Sequence, residues 1–135
     1  MSGSLRDVGF ADATMRGGYE RHVCRVVPMP DCVLRSFAQI AANPAVYHAM
    51  NGPSEFHVIG SLRTWDITSR LPEIATPTLL VSGRYDEATP LIVGQIHERI
   101  PGAQWVIFEQ SSHMPHVEEP EAFLDAVQTF LLTID

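Results

Sequence analysis

The segment Thr78-Leu-Leu-Val-Ser82 restricts the fold more than any other stretch of this chain. A short, nearly continuous apolar run of this kind fits a strand covered on both faces in a parallel sheet, and Gly83 ends it. Thr89-Pro90 then offers an N-cap followed by proline at the first helical position. Ile92, Val93, Ile96 and Ile100 form an apolar stripe, and Pro101-Gly102 closes the helix. Trp105-Val-Ile-Phe108 follows as a second strand. Strand, helix and strand with this spacing form the right-handed crossover unit of a parallel sheet. Pro120, Phe123, Leu124, Val127, Phe130 and Leu131 supply one face of a last helix that lies back on that sheet. The second half therefore reads as β-α-β-α, an α/β fold class.

The first half has a different rhythm. A helix is expected near residues 9 to 25, after which Pro28 and Pro30 break the chain. Asp31 is a candidate N-cap for a helix over roughly 32 to 42, where Val33, Leu34, Phe37, Ala38, Ile40 and Ala41 recur at helical spacing. Asn43-Pro44 restarts the pattern and Asn51-Gly52 stops it. Phe56, Val58 and Ile59 then change its character, so a boundary falls near residue 60, dividing a helical segment 1–60 from a unit 61–135. Asp66 is suited to cap a short turn through Ile67 and Leu71. Two strands leave both sheet edges and one face unprotected, so more sheet is expected upstream of these residues.

Charge narrows the partners. Nine Lys and Arg against 16 Asp and Glu give a formal charge of −7 with no basic run, which disfavours nucleic acid and anionic membrane surfaces and suits a small cationic or neutral ligand. Cys24 and Cys32 lack metal-ligand spacing with any nearby His or Cys, and they read as reduced, partly buried thiols. No metal site and no cofactor is expected. The N-terminus has no apolar leader region and no stretch approaches a membrane span, so the expected location is cytoplasmic.

Functional residues of parallel α/β sheets gather at the carboxyl ends of the strands. After the first strand comes Gly83-Arg-Tyr-Asp86-Glu87-Ala-Thr-Pro90, and after the second Glu109-Gln-Ser-Ser-His113-Met-Pro-His116. An acid after one strand and a histidine after the next is the order of the last two members of a Ser…Asp…His triad. Asp86 would hold one ring nitrogen of His113 and stabilise the imidazolium formed when the other takes a proton. Neither residue means much singly; their joint placement carries the reading. No G-x-S-x-G and no HGGG-type turn occurs, and Ser82, Ser111 and Ser112 lack the flanking glycines of a nucleophile elbow. A Cys–His dyad is the alternative, although nothing in the sequence activates Cys24 or Cys32.

These residues sit in a wider pattern. Arg21-His-Val-Cys-Arg25, Pro30-Asp-Cys32, Met50-Asn-Gly-Pro-Ser-Glu-Phe56, Trp65-Asp-Ile-Thr68, Gly83 to Pro90 and His113-Met-Pro-His116-Val-Glu-Glu-Pro120 together resemble the C-terminal part of proline iminopeptidases, serine aminopeptidases of the α/β-hydrolase superfamily. The resemblance runs from about residue 19 to the end. It implies the last two parallel strands of an α/β-hydrolase with flanking helices, preceded by part of a helical cap. It also implies Asp86 and His113 as catalytic acid and base, Glu55 and Glu87 as the carboxylates that hold a substrate's free α-amine, and Phe56 as a pocket wall. The substrate would be a small peptide or amino-acid amide with a free N-terminus. The opening strands, oxyanion turn and serine elbow are not among these residues, so the resemblance implies a missing N-terminal hydrolase segment as partner, and an inactive chain in isolation. An amino-acid amidase of the same family and a non-catalytic binding remnant are the alternatives.

Overall fold

The computed structural model describes residues 13–54 and 57–134. Three helices open the described chain: α1 (Ala13–His22), α2 (Asp31–Ala42) and α3 (Ala45–Met50). The expected first helix lies partly outside the described residues. α1 and α2 meet through an edge-on contact of Tyr19 with Phe37, ring centroids 5.7 Å apart. Val33 is the buried residue of α2, beside Tyr19, Val23 and Cys24 from α1 and the residues just after it as the other buried hydrophobic side chains of this region. Asp31 does not cap α2: Pro30, in extended backbone, occupies that position and Asp31 becomes an acid of the first turn. There its charge favours the helix through the macrodipole. α3 ends at Asn51-Gly52, where Gly52 takes a φ of 118° and a Cβ would strike the His57 carbonyl.

A linker of two 3-10 turns, Ser61–Thr64 and Thr68–Glu73, leads to the sheet. Ile67, not Asp66, occupies the N-cap position of the second turn, but Asp66 just before it still reaches the turn, its Oδ1 accepting the Thr68 N–H at 2.7 Å. Hydrogen bonds from the Thr68 side chain and then from its backbone N–H hold the Asp66 carboxyl below its ordinary range.

The second half follows the β-α-β-α order. β1 (Leu79–Gly83) and β2 (Gln104–Phe108) pair in parallel, with Leu79 opposite Gln104 and Gly83 opposite Phe108. α4 (Pro90–His97) joins them, and α5 (Pro115–Glu118) and α6 (Pro120–Leu132) follow. Alternation along β2 places Trp105 and Phe108 on opposite faces. α4 packs on the Trp105 face, where a Cβ on Gly94 would lie 3.5 Å from the indole; α6 packs on the Phe108 face through Phe123, centroids 6.0 Å apart. Helices thus cover both sides of β2. The Trp105 Nε1–H also donates to Ser82 Oγ at 3.0 Å, tying the strands together across one face.

Coverage of β1 is poorer than its apolar sequence suggests. Val81 remains 38% exposed, because α6 lies over β2. The α6 stripe is only half covered as well, with Leu124 and Leu131 exposed.

Candidate active site

The two strands end side by side, and their exit loops stay hydrogen-bonded after the sheet stops. Arg84 N–H donates to the Phe108 carbonyl at 2.9 Å, and Tyr85 N–H to the Ser111 carbonyl at 3.0 Å. Gly83 lies against the Ser111–Ser112 backbone so closely that a Cβ there would fall on both carbonyl oxygens. Glycine is required here by close approach, and the approach brings the two loops into register. Outside, Arg84 donates through Nε and Nη2 to both oxygens of Glu109, a two-point ion pair between the residues that follow β1 and β2. Those hydrogen bonds from Arg84 hold the Glu109 carboxyl below its usual range.

On this platform Asp86 and His113 meet, with His113 Nδ1 3.0 Å from Asp86 Oδ1. Asp86 is 7% exposed and the imidazole 48%. The same Oδ1 accepts the Ala88 N–H at 2.8 Å, so the carboxylate is oriented by backbone before the histidine reaches it. A carboxylate only accepts, which assigns the proton to Nδ1 and the lone pair to Nε2. The pair can therefore take a proton at Nε2 and stabilise the resulting cation through Asp86.

The serines near this pair are buried and engaged elsewhere. Ser82 Oγ accepts from Trp105; Ser111 Oγ donates to Glu119 Oε2 at 2.5 Å; Ser112 Oγ donates to Glu118 Oε1 at 2.8 Å. Ser111 and Ser112 have no exposed surface. Cys24 is buried, which pushes its thiol up and away from the thiolate form; Cys32, against expectation, is exposed, because α2 buries Val33 and leaves its neighbour facing outward. Glu87 is half-buried beside Asp86, its N–H donating to the His22 carbonyl at 3.3 Å. Glu55 and Phe56 lie outside the described residues. Among the described residues, no group of three or more His, Cys, Asp or Glu could hold a metal ion, and no helix is long and apolar enough to cross a membrane.

Three groups around the pair had no role assigned from sequence. His22 bonds the Tyr85 carbonyl through Nδ1 at 2.8 Å, the Arg25 guanidinium lies 3.9 Å over the Tyr85 ring, and Glu118 gathers the backbone around His113. The first two lie in the Arg21–Arg25 motif and the third in the His113–Pro120 motif, but their partners are mostly backbone atoms that no residue pattern displays.

A sequence profile described as "Alpha/beta hydrolase family" matches residues 4–126. The chain belongs to the alpha/beta hydrolase family. Within that family it is similar to proline iminopeptidases: the one from Saccharolobus solfataricus is 42% identical over 129 residues, covering 96% of this chain and 41% of that protein. The crystal structure of proline iminopeptidase from Mycobacterium smegmatis superposes with a TM-score of 0.83 at 44% identity, over 89% of this chain and 42% of that one. The crystal structure of VinJ gives a TM-score of 0.86 at 45% identity, over 90% of this chain and 41% of that one. The chain thus spans about two fifths of the length of the relatives it matches. Its fold is that of the C-terminal part of an alpha/beta hydrolase, with two parallel strands and flanking helices.

Proposed function

We propose that this chain carries the acid, the base and the amine-holding carboxylates of a serine aminopeptidase that releases N-terminal proline from small peptides. The observation that carries the reading is the 3.0 Å contact between His113 Nδ1 and Asp86 Oδ1 at neighbouring strand ends. In this reading, His113 Nε2 takes the proton of a serine hydroxyl as the hydroxyl attacks the scissile carbonyl. Asp86 stabilises the imidazolium, which then returns the proton to the departing amine. Glu87 and Glu55 hold the substrate's α-ammonium, and Phe56 walls the proline pocket. Residues 1–60 form part of the helical cap and 61–135 part of the hydrolase core, working in the cytoplasm.

No G-x-S-x-G occurs in the sequence, and Ser82, Ser111 and Ser112 are engaged in other hydrogen bonds. The reading therefore assigns the nucleophile to a segment outside residues 1–135. The test assays a prolyl arylamide with the 135-residue chain alone, and with the chain joined to the N-terminal portion of the Saccharolobus solfataricus relative, the part that this chain does not span. Expected is no turnover by the chain alone, and turnover by the joined protein that falls by about three orders of magnitude or more in His113→Ala. Turnover by the chain alone that is lost in His113→Ala refutes the placement of the nucleophile. Preference of the joined protein for other amino-acid amides over prolyl arylamides replaces the aminopeptidase with an amidase.

A further inference from the structure

Glu118 closes α5, one turn after His113, yet its carboxylate points back into the loop that carries the histidine. Oε2 accepts the N–H groups of Ser112 at 2.9 Å and Met114 at 3.0 Å, the residues on either side of His113. Oε1 accepts the Ser112 hydroxyl at 2.8 Å and the Arg25 N–H at 2.7 Å. Four donors fill the roughly four acceptor sites of one carboxylate. The reach resembles a capping box extended by one position, but here it brackets His113 instead of merely closing a helix.

The bond to Arg25 gives this clamp a second function. Arg25 ends a short strap, residues 22–25, that also grips the acid loop: His22 Nδ1 bonds the Tyr85 carbonyl, the His22 carbonyl accepts Glu87 N–H, and the Arg25 guanidinium covers the Tyr85 ring. Tyr85 and Glu87 flank Asp86 as Ser112 and Met114 flank His113. One strap therefore touches both neighbours of the acid and is bonded to the carboxylate that touches both neighbours of the base.

We propose that Glu118 is a positioning residue: it fixes the backbone on both sides of His113 and, through Arg25 N–H, locks it to the loop that presents Asp86. The inference rests on the reading of Asp86 and His113 as acid and base. Glu118 meets neither the substrate nor the reacting atoms; it acts by limiting how far Nδ1 can move from Oδ1. Neutral glutamine at this position keeps the shape but has a single carbonyl acceptor, so either Arg25 N–H or the Ser112 and Met114 N–H pair must lose its partner.

The test reads the His113 ring and the nearby amides by NMR in the full chain, comparing wild type, Glu118→Gln, Ser112→Ala and, as control, Glu121→Gln on the exposed first turn of α6. In wild type the neutral His113 ring should be protonated at Nδ1. In Glu118→Gln that single tautomer is expected to give way to a mixture, with Arg25 or the Ser112–Met114 pair exchanging amide protons about ten-fold faster or more, at a temperature where the fold is intact. Ser112→Ala removes one donor and should shift both readouts the same way to a smaller degree, and Glu121→Gln should shift neither. A wild type without the Nδ1-protonated ring overturns the acid–base reading itself. A wild type that has it, with Glu118→Gln folded and unchanged in both readouts, overturns the role of Glu118 alone. If Glu118→Gln does not fold, Ser112→Ala decides, and an unchanged ring and unchanged exchange there overturn the proposal.

Discussion

The β-α-β-α half and the helical first half build stability differently. In the second half, a β2 side chain meets a helix on each face: Trp105 lies against α4 and Phe108 against Phe123 of α6. In the first half, α2 buries Val33 alone and α3 buries nothing, leaving Val46 70% exposed. What joins the halves at the site is the strap, through polar and aromatic contacts at His22 and Arg25. The geometry of the acid–base pair is thus set by the sheet, while the helical half is attached to it at a few points that touch the same two loops.

Substitutions should separate the halves. Phe108→Ala should cost about 3–5 kcal/mol, since it empties the contact between sheet and α6, as measured by denaturant or thermal unfolding. Gly83→Ala should come next, at about 3 kcal/mol, because backbone must move to admit the methyl group; loss of the His113–Asp86 bond by NMR should accompany it. Val33→Ala should cost about 2 kcal/mol. If Val33→Ala matched Phe108→Ala and unfolded the sheet with it, the contrast drawn above would fail and both halves would form a single cooperative unit. Smaller still is an acid effect at the strand ends. Glu109 has its carboxyl lowered by Arg84, so its contribution is complete above the ordinary glutamate range and is lost as pH falls through the lowered folded value. Glu109→Gln should flatten that acid limb of a stability-versus-pH curve, and an unchanged limb would remove the ion pair from the account. Val46→Ala should shift stability by no more than about 0.5 kcal/mol.

Much of this was legible in the residues, for identifiable reasons. Short apolar runs punctuated by Gly83 and Pro101-Gly102 specify strands and a crossover helix locally, and the strand-end rule then points to Asp86 and His113. Where expectation and structure part, tertiary context decides. The run Leu79–Val81 promised a strand covered on both faces, but coverage depends on what packs against it, and Val81 stays open. Asp31 has the side chain of an N-cap, yet the fixed backbone of Pro30 takes the cap position. α5 has only four residues, too few for a period to declare itself. Glu118 was unreadable for a different reason: three of its four donors are backbone N–H groups, which every residue but proline possesses.

The tryptophans divide between two surroundings. Trp65, in the linker, is 63% exposed, whereas the indole of Trp105 is hydrogen-bonded to Ser82 across the strand pair and lies 5.7 Å from the His97 ring, centroid to centroid. The sheet therefore contains its own optical gauge. A change in emission that survives Trp65→Phe reports on the pairing of β1 with β2, the same pairing that sets the spacing of Asp86 and His113, without any label attached to the molecule.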